Sequence, residues 1–168
     1  MPTILTHAVV ASALSPLAPR GVDRARLVLA LCALAVLPDL DIVGFRLGIP
    51  YAHPLGHRGL SHSLLFAAVL AGLVARFEFR TRRVFALLFA AIASHGILDA
   101  FTDGGLGVGF LIPFSNERFF APVRPLPVSP IGFHRSVLPI LAAEIVYLWV
   151  PALAFACGLL LARGRRSA

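Results

Sequence analysis

The chain has 168 residues, 58% hydrophobic and 14% charged, with 15 basic side chains against 8 acidic ones and a formal charge of +7. Soluble domains average about 45–50% apolar and about 25% charged residues, so this composition excludes an ordinary water-soluble core and indicates a single-domain integral membrane protein. Every basic residue is an arginine flanking an apolar stretch, with no polar face, which argues against nucleic acid as a partner.

Five hydrophobic segments follow in chain order, predicting an all-α membrane bundle. Residues 3–17 form a short one, entered at Thr3 after Pro2 and stopped by Pro16 and Pro19. At 1.5 Å per residue it reaches about 20–22 Å, short of the roughly 30 Å hydrocarbon core, so it spans at a thinned spot or dips partway. Residues 26–43, 60–76 and 84–101 are each about long enough to cross. Residues 137–162 form the longest span, and a membrane helix with packed neighbours tolerates its Pro139 and Pro151. The 101–135 loop, rich in Gly and Pro and carrying Phe110, Phe114, Phe119 and Phe120, is too long for a simple connector and reads as a cover or substrate-binding element.

Arginine is unevenly shared between the loops. Arg20, Arg24 and Arg26, then Arg76, Arg80, Arg82 and Arg83, then Arg163, Arg165 and Arg166 fall on one side. Arg46 and Arg58, then Arg118, Arg124 and Arg135 over a longer stretch, fall on the other. Basic loops stay cytoplasmic, which predicts N-terminus out and C-terminus in. His7, the Pro38-Asp39-Leu40-Asp41 turn, His57 to His62, and His95 to Asp103 then converge near the outer, periplasmic face.

An Asp at the centre of a membrane helix costs roughly 2.5–3.5 kcal/mol on insertion scales, and a shared metal ion is the simplest way to offset several of them. His95 and Asp99 stand at i and i+4 on one helical face. His57 and His62 bracket Gly59 and lead into a helix. Asp39 and Asp41 cannot share a helical face, but an irregular turn after Pro38 lets both face inward. The expected metal ligands are His7, Asp39, His57, His62, His95 and Asp99, imidazole and carboxylate being common donors to Zn and related ions. The surplus of donors suits two ions, or one ion with outer carboxylates. Zinc is the first choice, with Mn or Mg as the others.

Asp41 or Asp103 would accept the proton of the attacking water. Arg58 would engage an anionic group through its planar fork, and Arg118, Arg124 and Ser63 would bind substrate. Glu144, about two turns into the last segment, is a buried carboxylate: a general base, an orienter of a histidine, or half of an ion pair with an arginine. His53 and His134 read as exposed loop residues. No HExxH helix and no GxSxG elbow is present.

Thr6-His7, Leu37-Pro38-Asp39-Leu40-Asp41, His57-Arg58-Gly59 with Ser61-His62-Ser63, Ser94-His95 with Leu98-Asp99, Thr102-Asp103-Gly104-Gly105 and Pro113-Phe114-Ser115 form an ordered series over roughly residues 3–115. In that series the chain resembles the YdjM-like family of bacterial inner-membrane proteins; Ser61 stands where that family commonly has Thr. The resemblance implies a metal-dependent hydrolase of the inner membrane. A site at headgroup level makes a membrane lipid or lipid-linked molecule the expected substrate, with phosphoester cleavage favoured. A zinc-dependent lipid amidase or esterase is the first alternative, and a non-catalytic metal-binding or metal-transport protein the second.

Overall fold

Prolines and polar turns cut the apolar sequence into helices, and the computed structural model describes them over residues 1–129 and 137–165. The helices fall within or just past the five hydrophobic segments, and no strand occurs among the described residues. Helix α1 spans Ile4–Ser12 and is followed by a tight turn at Ser15–Leu17 built on Pro16. Helix α2, Arg24–Val36, starts at Asp23, whose carboxylate accepts the N–H groups of Ala25 (2.9 Å) and Arg26 (3.2 Å) and so satisfies two otherwise unpaired donors. It continues through a 3₁₀ turn at Leu37–Ile42 into α3, Val43–Arg46, giving one apolar rod of 23 residues.

Helix α4, Leu64–Val74, begins at Ser63, whose hydroxyl accepts the Phe66 N–H at 3.1 Å. A π-turn at Ala75–Phe79 prolongs it, and Arg80 turns the chain in the left-handed region at φ 54°. Helix α5 then runs from Arg82 to Ala100. After the long loop come α6, Leu138–Glu144, a π-turn at Ile145–Trp149, and α7, Val150–Arg165. Three rods are long and apolar enough to cross a bilayer: Arg24–Arg46, Arg82–Ala100 and Leu138–Arg165. The segment expected at 60–76 starts later, because Leu60–His62 forms a separate 3₁₀ turn that presents His62.

Helix α5 lies at the centre, against α1, α2 and α4. Small residues allow the close approach: Ala67 and Ala71 of α4 and Ala91 of α5 are buried beside Leu27 and Leu31 of α2 and Val84 and Leu88 of α5. Helix α7 has no buried residue and presents Val150, Leu153, Phe155 and Leu161 outward. In water that face would be a liability; in a bilayer, acyl chains are its natural solvent.

Two loops close the end of the bundle where the histidines gather. The 47–59 loop folds so tightly that a Cβ on Gly59 would sit 2.2 Å from the Pro54 carbonyl oxygen and 2.7 Å from that of Gly56. Both obstacles are backbone and cannot swing aside. Gly59→Ala is therefore expected to displace His57 and His62 together and to lower the yield of folded, detergent-stable protein severalfold, as read by size-exclusion profile; an unchanged thermal midpoint would contradict this loop geometry.

The Thr102–Ser129 loop is fastened down rather than slack. Gly109 N–H donates to the Arg58 carbonyl (2.8 Å), Leu64 N–H to that of Phe110 (3.0 Å), and Val108 and Phe119 exchange two bonds of 2.9 Å. It forms a cover, as its length and aromatics suggest.

Candidate metal centre

Pro38 has no N–H to give Ala35 at the i+3 spacing that a 3₁₀ turn uses. The Ala35 carbonyl instead takes Nδ1 of His95, at 2.6 Å. This fixes the tautomer: Nδ1 carries the proton, and Nε2 turns inward with its lone pair free. The same 3₁₀ turn splits the two aspartates. Three residues per turn place i and i+2 about 120° apart, so Asp39 and Asp41 approach His62 from opposite sides.

Asp39 reaches Nε2 of His95 at 3.3 Å and Nε2 of His62 at 3.8 Å. Asp99, one helical turn beyond His95, reaches Nε2 of His62 at 3.6 Å and Nε2 of His7 at 3.6 Å. His7 stacks on His95, with ring centroids 3.7 Å apart and planes 15° apart. Asp39, His62, His95 and Asp99 each offer a ligand atom, all within 4.8 Å of one another, and all four residues are buried. Both oxygens of Asp39 and of Asp99, and Nε2 of His7, His62 and His95, are buried without a hydrogen-bond partner. Buried polar atoms are nearly always satisfied, and here, beside Arg58 Nε and His7 Nδ1, the bare ones are metal-donor atoms gathered in one cluster. The donor set fits a divalent cation.

Asp41 stands apart from this set. Its Oδ1 lies 2.6 Å from His57 Nδ1, and its Oδ2 accepts the Arg58 N–H (3.1 Å) and the Ser61 hydroxyl (2.6 Å). Nδ1 of His62 is 3.2 Å from the same Oδ2 and 2.9 Å from the Ser61 oxygen. Asp41, His57 and His62 could also gather around an ion, yet these contacts are ordinary hydrogen bonds. The arrangement instead orients His62. His57, expected as a ligand, is bonded here to the carboxylate that holds His62, in the second of the two groups that could gather around an ion.

Arg58 is 1% exposed and sits at φ 60°, a conformation that turns its side chain under the cover. Its Nε lies 2.9 Å from Asp99, off the line of a true hydrogen bond, and its terminal nitrogens donate to the Gly104 carbonyl (2.9 Å) and the Thr102 hydroxyl (3.0 Å). The expectation that it grips a substrate anion is corrected: its fork is occupied within the protein. Arg118 is likewise occupied, donating to carbonyls of His57 (3.0 Å), Tyr51 (3.1 Å) and His53 (3.2 Å). Burial raises the pKa of the neighbouring Tyr51 hydroxyl and lowers that of the Arg118 guanidinium.

Ser63, expected to bind substrate, is the buried cap of α4. Arg124 is exposed, its guanidinium 4.7 Å from the Phe120 ring centroid. Asp103 does not continue the His95–Asp99 face, because α5 ends at Ala100; its carboxylate is exposed and accepts the Val128 N–H at 2.8 Å. That removes the reason for giving Asp103 the water proton. His53 is exposed, and its Nδ1 accepts the Leu55 N–H. His134 lies outside the described residues, as do Arg135 and Arg166.

Among the described residues Glu144 meets neither a histidine nor an arginine. It is buried and accepts from the Thr3 N–H (2.7 Å), the Thr3 hydroxyl (2.5 Å) and the Thr6 hydroxyl (2.5 Å), while Trp149 Nε1 donates to Thr6 (2.6 Å). The Ala35 carbonyl, Ser61 and Thr102 carry weight in this centre that the sequence reading did not assign. A hydroxyl beside a histidine or one turn past Asp99 is a usable signal; a backbone carbonyl leaves none.

The YdjM inner membrane protein family model matches residues 1–167. The chain is 38% identical over 162 residues to the inner membrane protein YbcI of Escherichia coli strain K12, a match covering 91% of this chain and 94% of that one. No solved structure matches. With a match along almost its whole length and three helices fit to cross a bilayer, the chain belongs to the YdjM family of inner membrane proteins.

Proposed function

We propose that the protein is a metal-dependent hydrolase cleaving a phosphoester in a lipid or lipid-linked substrate, with its centre toward the periplasmic face. The observation that carries this reading is the convergence of unpartnered Nε2 atoms and carboxylate oxygens of His7, His62, His95, Asp39 and Asp99. A bound divalent ion would polarise the scissile group and acidify a water molecule. Around it, the Ala35 carbonyl fixes His95, Ser61 and Asp41 fix His62, and Arg58 offsets the charge of Asp99. The Asp41–His57 pair is the least enclosed part of the cluster, Asp41 being 7% exposed, and offers the path by which a proton leaves. On this reading the start of α4 and the end of α5 lie near the bilayer boundary, which would make a membrane lipid the accessible substrate class.

Charge favours one ion. Asp39, Asp41 and Asp99 bring three negative charges and Arg58 one positive, so a single divalent cation with neutral histidines brings the cluster to zero. A second ion would leave a buried excess of two positive charges. One ion, together with the engagement of Arg58 and Arg118 by the protein itself, supports a second reading: a lipid amidase or carboxylic esterase.

Purified protein tested on phospholipids, lipid phosphates, and amide- and ester-linked lipids separates the two. Turnover of phosphoesters, abolished by chelation, restored by Zn and lost in His62→Ala, is the expected result; turnover of amide or ester lipids alone selects the second reading. Activity that survives both chelation and His62→Ala removes the hydrolase assignment from this centre. Chelation is also expected to lower the thermal midpoint, since an ion at about 100 times its Kd contributes about 2.7 kcal/mol to the folded state.

A further inference from the structure

At the opposite end of α5 lies a second polar constellation. Arg82 and Asp99 are 17 positions apart, about 25 Å along a helix, so this end meets the other membrane interface. The π-turn after α4 and the left-handed Arg80 fold the chain around a cavity of about 370 Å³. Arg76, Arg80 and Arg82 line it with Thr81, while Gly72 and Phe85 form an apolar wall. The acid beside them, Glu78, is bound to Arg26. The side chains of Arg80 and Arg82 have no partner among the described residues.

Three guanidinium groups around one cavity repel each other, and Glu78, the acid described beside them, is already bound to Arg26. The N-terminus of the 19-residue α5 adds its positive dipole end, and Thr81 makes no side-chain capping bond, leaving its hydroxyl and the first-turn N–H groups available. Planar guanidinium forks suit phosphate oxygens, and basic pockets between membrane helices are suited to anionic headgroups. The apolar wall of Phe85 and Gly72 calls for a ligand that also carries hydrocarbon. We infer that this cavity binds the phosphate headgroup of an anionic phospholipid, held by Arg76, Arg80, Arg82 and Thr81. The site is separate from the metal centre and does not rest on the hydrolase reading.

Native mass spectrometry of the full chain in detergent, offered phosphatidylglycerol or phosphatidylcholine with identical acyl chains, tests it. The choline cation cancels the phosphate charge, so the wild type should retain phosphatidylglycerol at least about tenfold better. The Arg80→Gln/Arg82→Gln double variant should lose that preference while keeping its bound metal, whereas Arg124→Gln, at the other end, should keep both. Equal retention of the two lipids by the wild type, or a preference unchanged in the double variant, overturns the inference. Inorganic phosphate binding that is lost in the double variant, without any lipid preference, assigns the site to a free anion and overturns the lipid assignment.

Discussion

Asp39→Asn is expected to have opposite signs with and without metal. Asp39 is 3% exposed and, among the described residues, has no arginine beside it and no hydrogen-bond partner for either oxygen. In chelated protein this carboxylate has only the imidazoles of His95 (3.3 Å) and His62 (3.8 Å) beside it and accepts no hydrogen bond, and a buried carboxylate so placed carries a penalty of several kcal/mol. Removing it should leave the thermal midpoint of the chelated protein unchanged or raise it. In the metal-loaded protein the same substitution removes a direct ligand. Partners one shell further out are already worth about 10–100-fold in metal affinity, so bound metal should fall by more than that, and the midpoint with it.

Asp99→Asn gives the contrast. Its carboxylate lies 2.9 Å from the buried Arg58 guanidinium, so the substitution strips that cation of its counter-charge whether or not metal is present. Breaking a buried pair from one side costs about 3–5 kcal/mol. Asp99→Asn should therefore destabilise both forms, and Asp39→Asn only the loaded one. Thermal melts of the two variants with and without chelator check both, alongside metal analysis. A drop in the chelated midpoint for Asp39→Asn matching that of Asp99→Asn would mean that Asp39 is satisfied by protein groups, and the case for an ion would fail.

The legible part of this architecture was the part governed by periodicity and by the cost of burying charge. Helical spacing puts His95 and Asp99 on one face, and the improbability of ionisable groups in apolar segments draws Asp39, His62 and His7 to the same place. What the sequence hid was the division of labour inside the cluster. Arg58 and Arg118 look alike on paper as free anion grips, yet both are tied to groups in the loops above and around the centre. Their partners are mostly backbone carbonyls, present at every residue and so without a compositional signature. Asp103 lies past the end of the helix that carries His95 and Asp99: α5 stops at Ala100, and the Asp103 carboxylate turns to Val128. A buried carboxylate such as Glu144 needs a partner, and its partners lie 138 and 141 positions away, as hydroxyls and an N–H at the start of the chain.

That long-range contact sets the second large expectation. Helix α1 has only nine residues, too few to hold its place alone, and it carries His7. Its N-terminal turn is fixed by Glu144, which takes three donors from Thr3 and Thr6, with Trp149 bracing Thr6 from the same side. Hydrogen bonds to charged groups contribute about 1.5–3 kcal/mol each, and stranding the donors adds the cost of leaving them unpaired. Glu144→Ala should thus destabilise the protein by more than about 3 kcal/mol. Glu144→Gln, which keeps one acceptor oxygen, should recover part of that loss. Because Thr6 and His7 are adjacent, the damage should reach the metal centre: Glu144→Ala should lower metal affinity in the wild-type background but add little once His7→Ala has removed the ligand that α1 supplies. Double-mutant cycles read this coupling directly. Additive losses of metal affinity would show that Glu144 stabilises the bundle without positioning His7.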